Sequence, residues 1–252
     1  MRALEGALER HVDLVRLLPM CGRYRLTARE RYLRDHFGLE GEVSWQPRWN
    51  IAPTQKVPII RQNKKEPNRS FALVRWGLIP SWAKDEKIGL RAINGMSETA
   101  AGRPVFREAM RRRRCLVPAD GFYEWQKLGT KEKQPYCFAM IDDSTFAFAG
   151  LWERWRNPAG EFIETCTILT TEPNSLVSDV HDRMPVIVKP EDYELWLDPG
   201  FADVAAVADC LKPFDATLMK KYSVSTRVNR ADNDDAECAR EVPSVSAMPT
   251  LF

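Results

Sequence analysis

Three runs decide the fold class: Pro135–Ile141 (PYCFAMI), Thr145–Trp155 (TFAFAGLWERW) and Glu164–Thr171 (ETCTILTT). They are dense in aromatic, Thr, Ile and Leu side chains and separated by turn residues at Asp142-Asp143 and Asn157-Pro158. Such spacing predicts an antiparallel meander. Immediately upstream, Cys115–Trp125 (CLVPADGFYEW) reads as strand, turn, strand, with Pro118, Asp120 and Gly121 as the turn residues.

Working outward, Thr27–Phe37 (TARERYLRDHF) has helical spacing. Thr27 and Glu30 form a candidate capping box, and Gly38 suits the stop. Arg48–Ile60 reads as a proline-containing loop and a short strand ending in VPII. Ser70–Pro80 reads as a further strand, and residues 81–93 as a loop. Glu98–Arg113 predicts a helix interrupted near Gly102-Arg103-Pro104, with Pro104 suited to a first helical position. Helical segments are expected at Pro190–Leu197 and Val204–Leu211, and a last strand at Tyr222–Val228. There is no internal repeat, no βαβ alternation and no glycine-rich phosphate loop, so a Rossmann or P-loop fold is excluded. The whole reads as one α+β domain with many antiparallel strands.

Composition bounds the function. The chain has 252 residues, 44% hydrophobic, with 8 Trp and 11 Phe, enough for a sizeable core. No apolar run is long enough to cross a membrane as a helix. Thirty-seven Lys and Arg against 35 Asp and Glu give a net charge of only +2. Any anionic partner must therefore be held by a local patch. Six cysteines at 21, 115, 137, 166, 210 and 238 form no CxxC pair, and there are three histidines. No metal or organic cofactor is implied, and a cytoplasmic protein with reduced thiols is expected. Residues 1–20 lack a signal-peptide core and have the spacing of a short amphipathic helix ended by Pro19. They are either a leader or a mis-assigned start ahead of Met20. Residues 21–240 are assigned to the domain and 241–252 to a loose tail.

Four elements combine a reactive group with turn residues. In Met20-Cys21-Gly22-Arg23, a cysteine follows a methionine directly. A buried structural cysteine is the ordinary case, but removal of the preceding residues would make Cys21 N-terminal. It would then carry a thiol beside an α-amine of pKa about 7.7–8.0, a pair that condenses with an aldehyde to a thiazolidine. Asn94, in Ile93–Thr99, can orient a small nucleophile or a sugar hydroxyl, or act as a helix cap. Glu124, between Tyr123 and Trp125, becomes a useful acid or base if buried, and is inert if it faces solvent. His181, in His181–Pro185, is a candidate proton carrier or a structural side chain.

The blocks MCGRY, RWNIAPTQ, WGLIPSWAKD, INGMSETA, RRCLVPADGFYEW and VHDRMPVIV occur in that order. From Cys21 to about Glu237 the chain resembles the SOS response-associated peptidase (SRAP) family of abasic-site processing proteins. That resemblance implies a single α+β domain with a curved, barrel-like antiparallel β-core and flanking helices. It implies a monomer, DNA-associated, that binds single-stranded DNA with abasic sites and forms a covalent thiazolidine crosslink. Cys21 would be the nucleophile, Asn94 its positioner and Glu124 the acid–base group, with His181 assisting ring opening. Arg23 would contact a phosphate, and Pro53 and Trp82 would meet bases, with Asn50 and Thr170 as further DNA contacts. The family arginine after Ile-Asn is replaced here by Met96, which removes one phosphate contact. Two other classes fit the same residues: a thiol peptidase or amidohydrolase using Cys21, His181 and Asn94, and a non-catalytic single-strand-binding module.

Overall fold

The structure, a computed structural model, describes residues 21–62, 68–129, 132–200 and 203–244. Its centre is a ring of five strands: β3 (Lys56–Gln62), β4 (Arg69–Trp76), β6 (Arg114–Ala119), β9 (Phe146–Arg156) and β10 (Phe162–Thr171). The order β10-β4-β3-β6-β9 closes because β9 pairs with both β6 and β10. Closure leaves these strands no free edge and gives the barrel-like core. Short strands β5 (Asn94–Met96), β11 (Met184–Pro185) and β12 (Ile187–Val188) extend it from β10 and β9. A second sheet has the order β13-β8-β7-β1-β2. It comprises β1 (Tyr24–Leu26), β2 (Arg48–Ile51), β7 (Gly121–Lys127), β8 (Lys133–Met140) and β13 (Met219–Ser223). Among the described residues, four short helices flank the sheets: α1 (Glu30–Phe37), α2 (Ser97–Ala100), α3 (Arg107–Arg112) and α4 (Tyr193–Leu197). No helix among the described residues is long and apolar enough to cross a membrane.

The chain changes sheet between β6 and β7, and Asp120 makes that corner. Its carboxylate pairs with Arg25 at 3.2 Å and accepts from the Thr27 amide, the Thr27 hydroxyl and the Ala28 amide. Backbone bonds from Asp120 N to Arg25 O and from Tyr123 N to Arg23 O stitch β7 to β1. β6, buried at every position, reads as an apolar run because it lies inside the ring.

Several expectations are corrected by these tertiary partners. The meander holds only for the β9–β10 hairpin, since β8 joins the second sheet. β10 also pairs in parallel with β4 and β5. Thr27 does not cap α1. Its polar groups are taken by Asp120, and the Glu30 carboxylate accepts from Trp45 N instead, so α1 starts at Glu30 with Arg29 as cap. Gly38 ends α1 with φ of +60°, as its sequence position predicts. The 98–113 helix is interrupted at Gly102-Arg103-Pro104 as expected, but Pro104 lies in the turn between two short helices rather than at a first helical position. Arg48–Ile51 is strand rather than loop, residues 86–91 form a 3-10 turn, and 226–229 form a 3-10 turn where strand was expected. The amphipathic reading of 1–20 and the end of the tail from 245 lie outside the described residues.

Removing the corner carboxylate strands Arg25 and three donors. Asp120→Ala is expected to cost about 3 kcal/mol of folding stability, and Asp120→Asn less. Urea unfolding of the three proteins measures this.

Candidate active site

Cys21 precedes β1 and is 4% exposed; its Sγ lies 3.9 Å from the carbonyl of Arg183. Glu124 is the last of four consecutive buried residues on β7, before burial falls off at Trp125 and Gln126. It is 3% exposed, and its Oε1 has no hydrogen-bond partner among the described residues. Burial pushes the Glu124 carboxyl up to about 8, while a hydrogen bond from the Cys21 thiol draws it down. The same contact acts on the cysteine. Burial first, and the neighbouring carboxyl second, hold the Cys21 thiol well above its ordinary range. A neutral thiol therefore faces a carboxyl that exchanges its proton near neutrality.

His181 completes the cluster. Its Nε2 lies 4.0 Å from Glu124 Oε2, too long for a hydrogen bond. On its other side, Nδ1 lies 3.1 Å from the Arg183 amide, 3.2 Å from the Arg183 carbonyl and 3.1 Å from Asp182 Oδ1. Either neutral tautomer finds a partner there, so the ring can take a proton on one nitrogen and give one from the other.

Arg183 is the residue that sequence reading missed. Its guanidinium makes a two-point pair with Glu98, at 2.9 and 2.8 Å, and donates to the carbonyl of Thr170 at 2.7 Å. Its backbone meets both Cys21 and His181. The signal was its place two residues after the histidine in HDRMP, together with Glu98 in the INGMSETA block. Asn94 is buried on β5 beside Ile168, which lines a small void against Cys21. Its Nδ2 donates to Ile168 O at 3.3 Å, and its Oδ1 has no partner among the described residues.

The expected DNA contacts separate into two groups. Trp82 is 59% exposed in the turn after Pro80, and that turn is anchored by Trp155 Nε1 donating to Ala83 O at 2.7 Å. Pro53 is half-buried in a rigid turn where Thr54 N donates to Trp76 O at 2.8 Å. Arg23 and Asn50 are buried instead. The Arg23 guanidinium binds Asn50 Oδ1 and the carbonyls of Val228 and Asn229. Asn50 Nδ2 reaches the carbonyls of Val228, Arg230 and Asn233. Both side chains hold the 228–234 segment against β2. Thr170 is fully buried, with its carbonyl committed to Arg183. Of the four consecutive arginines 111–114, Arg113 pairs with Glu153, and Arg114 is buried against the carbonyls of Trp196 and Asp198. No group of three potential metal ligands occurs among the described residues.

Residues 20–231 match the family model described as SOS response associated peptidase (SRAP). The chain is 43% identical over 223 residues to the abasic site processing protein YoqW of Bacillus subtilis, covering 86% of this chain and 98% of that one. It is 30% identical over 267 residues to the abasic site processing protein HMCES of Mus musculus, covering 87% and 75%. A crystal structure of a protein from Bacteroides thetaiotaomicron superposes with a TM-score of 0.80 at 28% identity, covering 88% of this chain and all of that one.

Between pH 4.5 and 8 the folded protein keeps a proton on Glu124 that the unfolded chain has lost. Folding stability therefore falls as pH rises through that window, with a slope from this group of at most about 1.4 kcal/mol per pH unit. Glu124→Gln is expected to flatten that slope in urea unfolding measured across the window.

Proposed function

Because the chain belongs to the SOS response associated peptidase family, we propose that it processes abasic sites in single-stranded DNA by crosslinking to them through Cys21. The observation that carries this reading is the buried contact between the Cys21 thiol and a Glu124 carboxyl that titrates near 8. At Cys166, by contrast, burial alone lifts the thiol.

The steps follow from the groups present. Opening of the abasic deoxyribose moves the proton of its C1′ hydroxyl and protonates the ring oxygen; His181, with nitrogens facing two ways, serves that transfer. The α-amine of Cys21 adds to the freed aldehyde. Glu124, protonated below about 8, gives its proton to the hydroxyl that leaves as water, and an imine forms. The thiol then adds to the imine carbon. Its proton passes through the Glu124 carboxylate toward the nitrogen, which becomes the ring amine of a thiazolidine. One water is released overall. Asn94 contributes its unpartnered Oδ1 to orienting the amine or the sugar. Holding amine, thiol and aldehyde together supplies much of the rate.

This chemistry needs Cys21 to lead the working chain. Synthesis from Met20 with its removal, or cleavage before Cys21 by its own thiol, would provide that. Trp82 and Pro53 are assigned to the bases beside the lesion, while Arg23 and Asn50 act by holding the 228–234 segment against β2. The protein acts as a monomer in this reading.

Protein beginning at Cys21 is expected to give a shifted band with abasic single-stranded DNA on a denaturing gel. Protein retaining residues 1–20, or carrying Cys21→Ala, is expected to give none, while Cys21→Ala still binds DNA. A band from either would overturn the thiazolidine assignment. Met96 lies across from Thr170 at the end of β5 and is partly exposed. Met96→Arg is expected to tighten single-strand binding and to steepen its log–log salt dependence by about 0.7, one phosphate contact. Titrations by fluorescence anisotropy at several salt concentrations decide this.

A further inference from the structure

Outside the cysteine site, a groove of about 440 Å3 lies where β3, β4 and β10 meet. Thr54, Lys56, Leu73, Arg75, Phe162, Ile163 and Glu164 line it. Two features set it apart from an ordinary solvated sheet face. The first is apolar exposure: Phe162 is 57% and Leu73 42% exposed. The second is the charge balance. Glu164 is neutralised by Arg61, Glu86 by Arg75 and Glu153 by Arg113. Glu161, at the hairpin tip, is held by Asn157. Lys56, Arg154 and Arg156 are exposed and have no carboxylate partner among the described residues. The Arg154 and Arg156 guanidiniums lie 3.9 and 5.9 Å from the centre of the Phe162 ring, and Arg156 also donates to Gly160 O. Two arginines against an exposed aromatic ring, with Lys56 farther along the groove wall, outweigh Glu161, the one carboxylate here without a cation, and match a polyanion that also offers flat faces for stacking.

The groove is also placed beside both proposed lesion contacts. Thr54, on its wall, follows Pro53 directly. The turn bearing Trp82 is fastened to the same strands by Trp155 donating to Ala83 O and by the Arg75–Glu86 pair. We propose that this groove, together with the two β9 arginines beside its Phe162, binds the single-stranded arm flanking the abasic site, with Lys56, Arg154 and Arg156 on phosphates and Phe162 against a base. This rests on the proposed function and extends its substrate from the lesion to a longer stretch of strand.

The test uses the full chain and two single strands, of about 6 and about 20 nucleotides. Each has one central tetrahydrofuran site, an abasic analogue without an aldehyde. By fluorescence anisotropy the parent is expected to bind the long strand about 10- to 100-fold more tightly. The triple variant Lys56→Ala, Arg154→Ala, Arg156→Ala is expected to lose that preference and about 2 units of salt slope on the long strand, with short-strand affinity unchanged. Phe162→Ala alone is expected to lose about 5-fold or more on the long strand only. A parent without length preference, variants that keep it, or equal losses on both strands overturn the groove assignment. A gel with a natural abasic site separates this from the proposed function. A length-dependent parent that forms no crosslink overturns the chemistry and leaves the groove. A crosslinking parent without length dependence does the reverse.

Discussion

A single carboxylate at a corner sets the frame for everything else. Asp120 stands where the chain leaves the closed ring for the second sheet, and it gathers Arg25, Thr27 and Ala28 around itself. Those contacts clamp β1 onto β7. Cys21 lies three residues before β1 and Glu124 four residues after the corner, so one buried anion fixes both partners of the reactive contact. A charge in such a place is costly unless its bonds are satisfied, which ties the folding of the corner to the assembly of the site.

The site itself rests on desolvation. Glu124 in water would be ionised throughout the physiological range. Inside the protein, with one oxygen unpartnered, it holds its proton to about 8 beside a thiol that is itself kept neutral. The histidine loop reaches this pair from the other side and is fastened from outside by Arg183, whose side chain bridges Glu98 and the Thr170 carbonyl. A backbone segment thus delivers His181 to the carboxyl without any direct bond between the two, and the geometry is carried by a salt link at the protein surface.

Much of this was legible in the sequence, in uneven ways. Strand runs were visible wherever one face is apolar, as in β4, β9 and β10. Their pairing was not, because hairpin spacing looks the same whether the next strand stays in the sheet or leaves it; β8 and β9 are separated by a plain Asp-Asp turn and yet part company. The capping box at Thr27 and Glu30 failed because both side chains were claimed by partners distant in sequence, Asp120 and Trp45. Cys21, Asn94, Glu124 and His181 stood out because reactive side chains beside turn residues are few in this chain. Arg23 and Asn50 show the opposite limit: a polar residue in a matched block reads as exposed, and only packing reveals that the 228–234 segment covers it.

Every cysteine in this protein is buried and none is disulfide-bonded. A thiol that is neutral and shielded is a poor target for peroxide, for alkylating agents and for disulfide exchange. Cys21, buried beside Glu124, is thereby shielded from the small electrophiles that consume an exposed thiolate. In the proposed reaction, selectivity of that sulfur comes less from heightened reactivity than from being withheld until a carbonyl arrives in the right place.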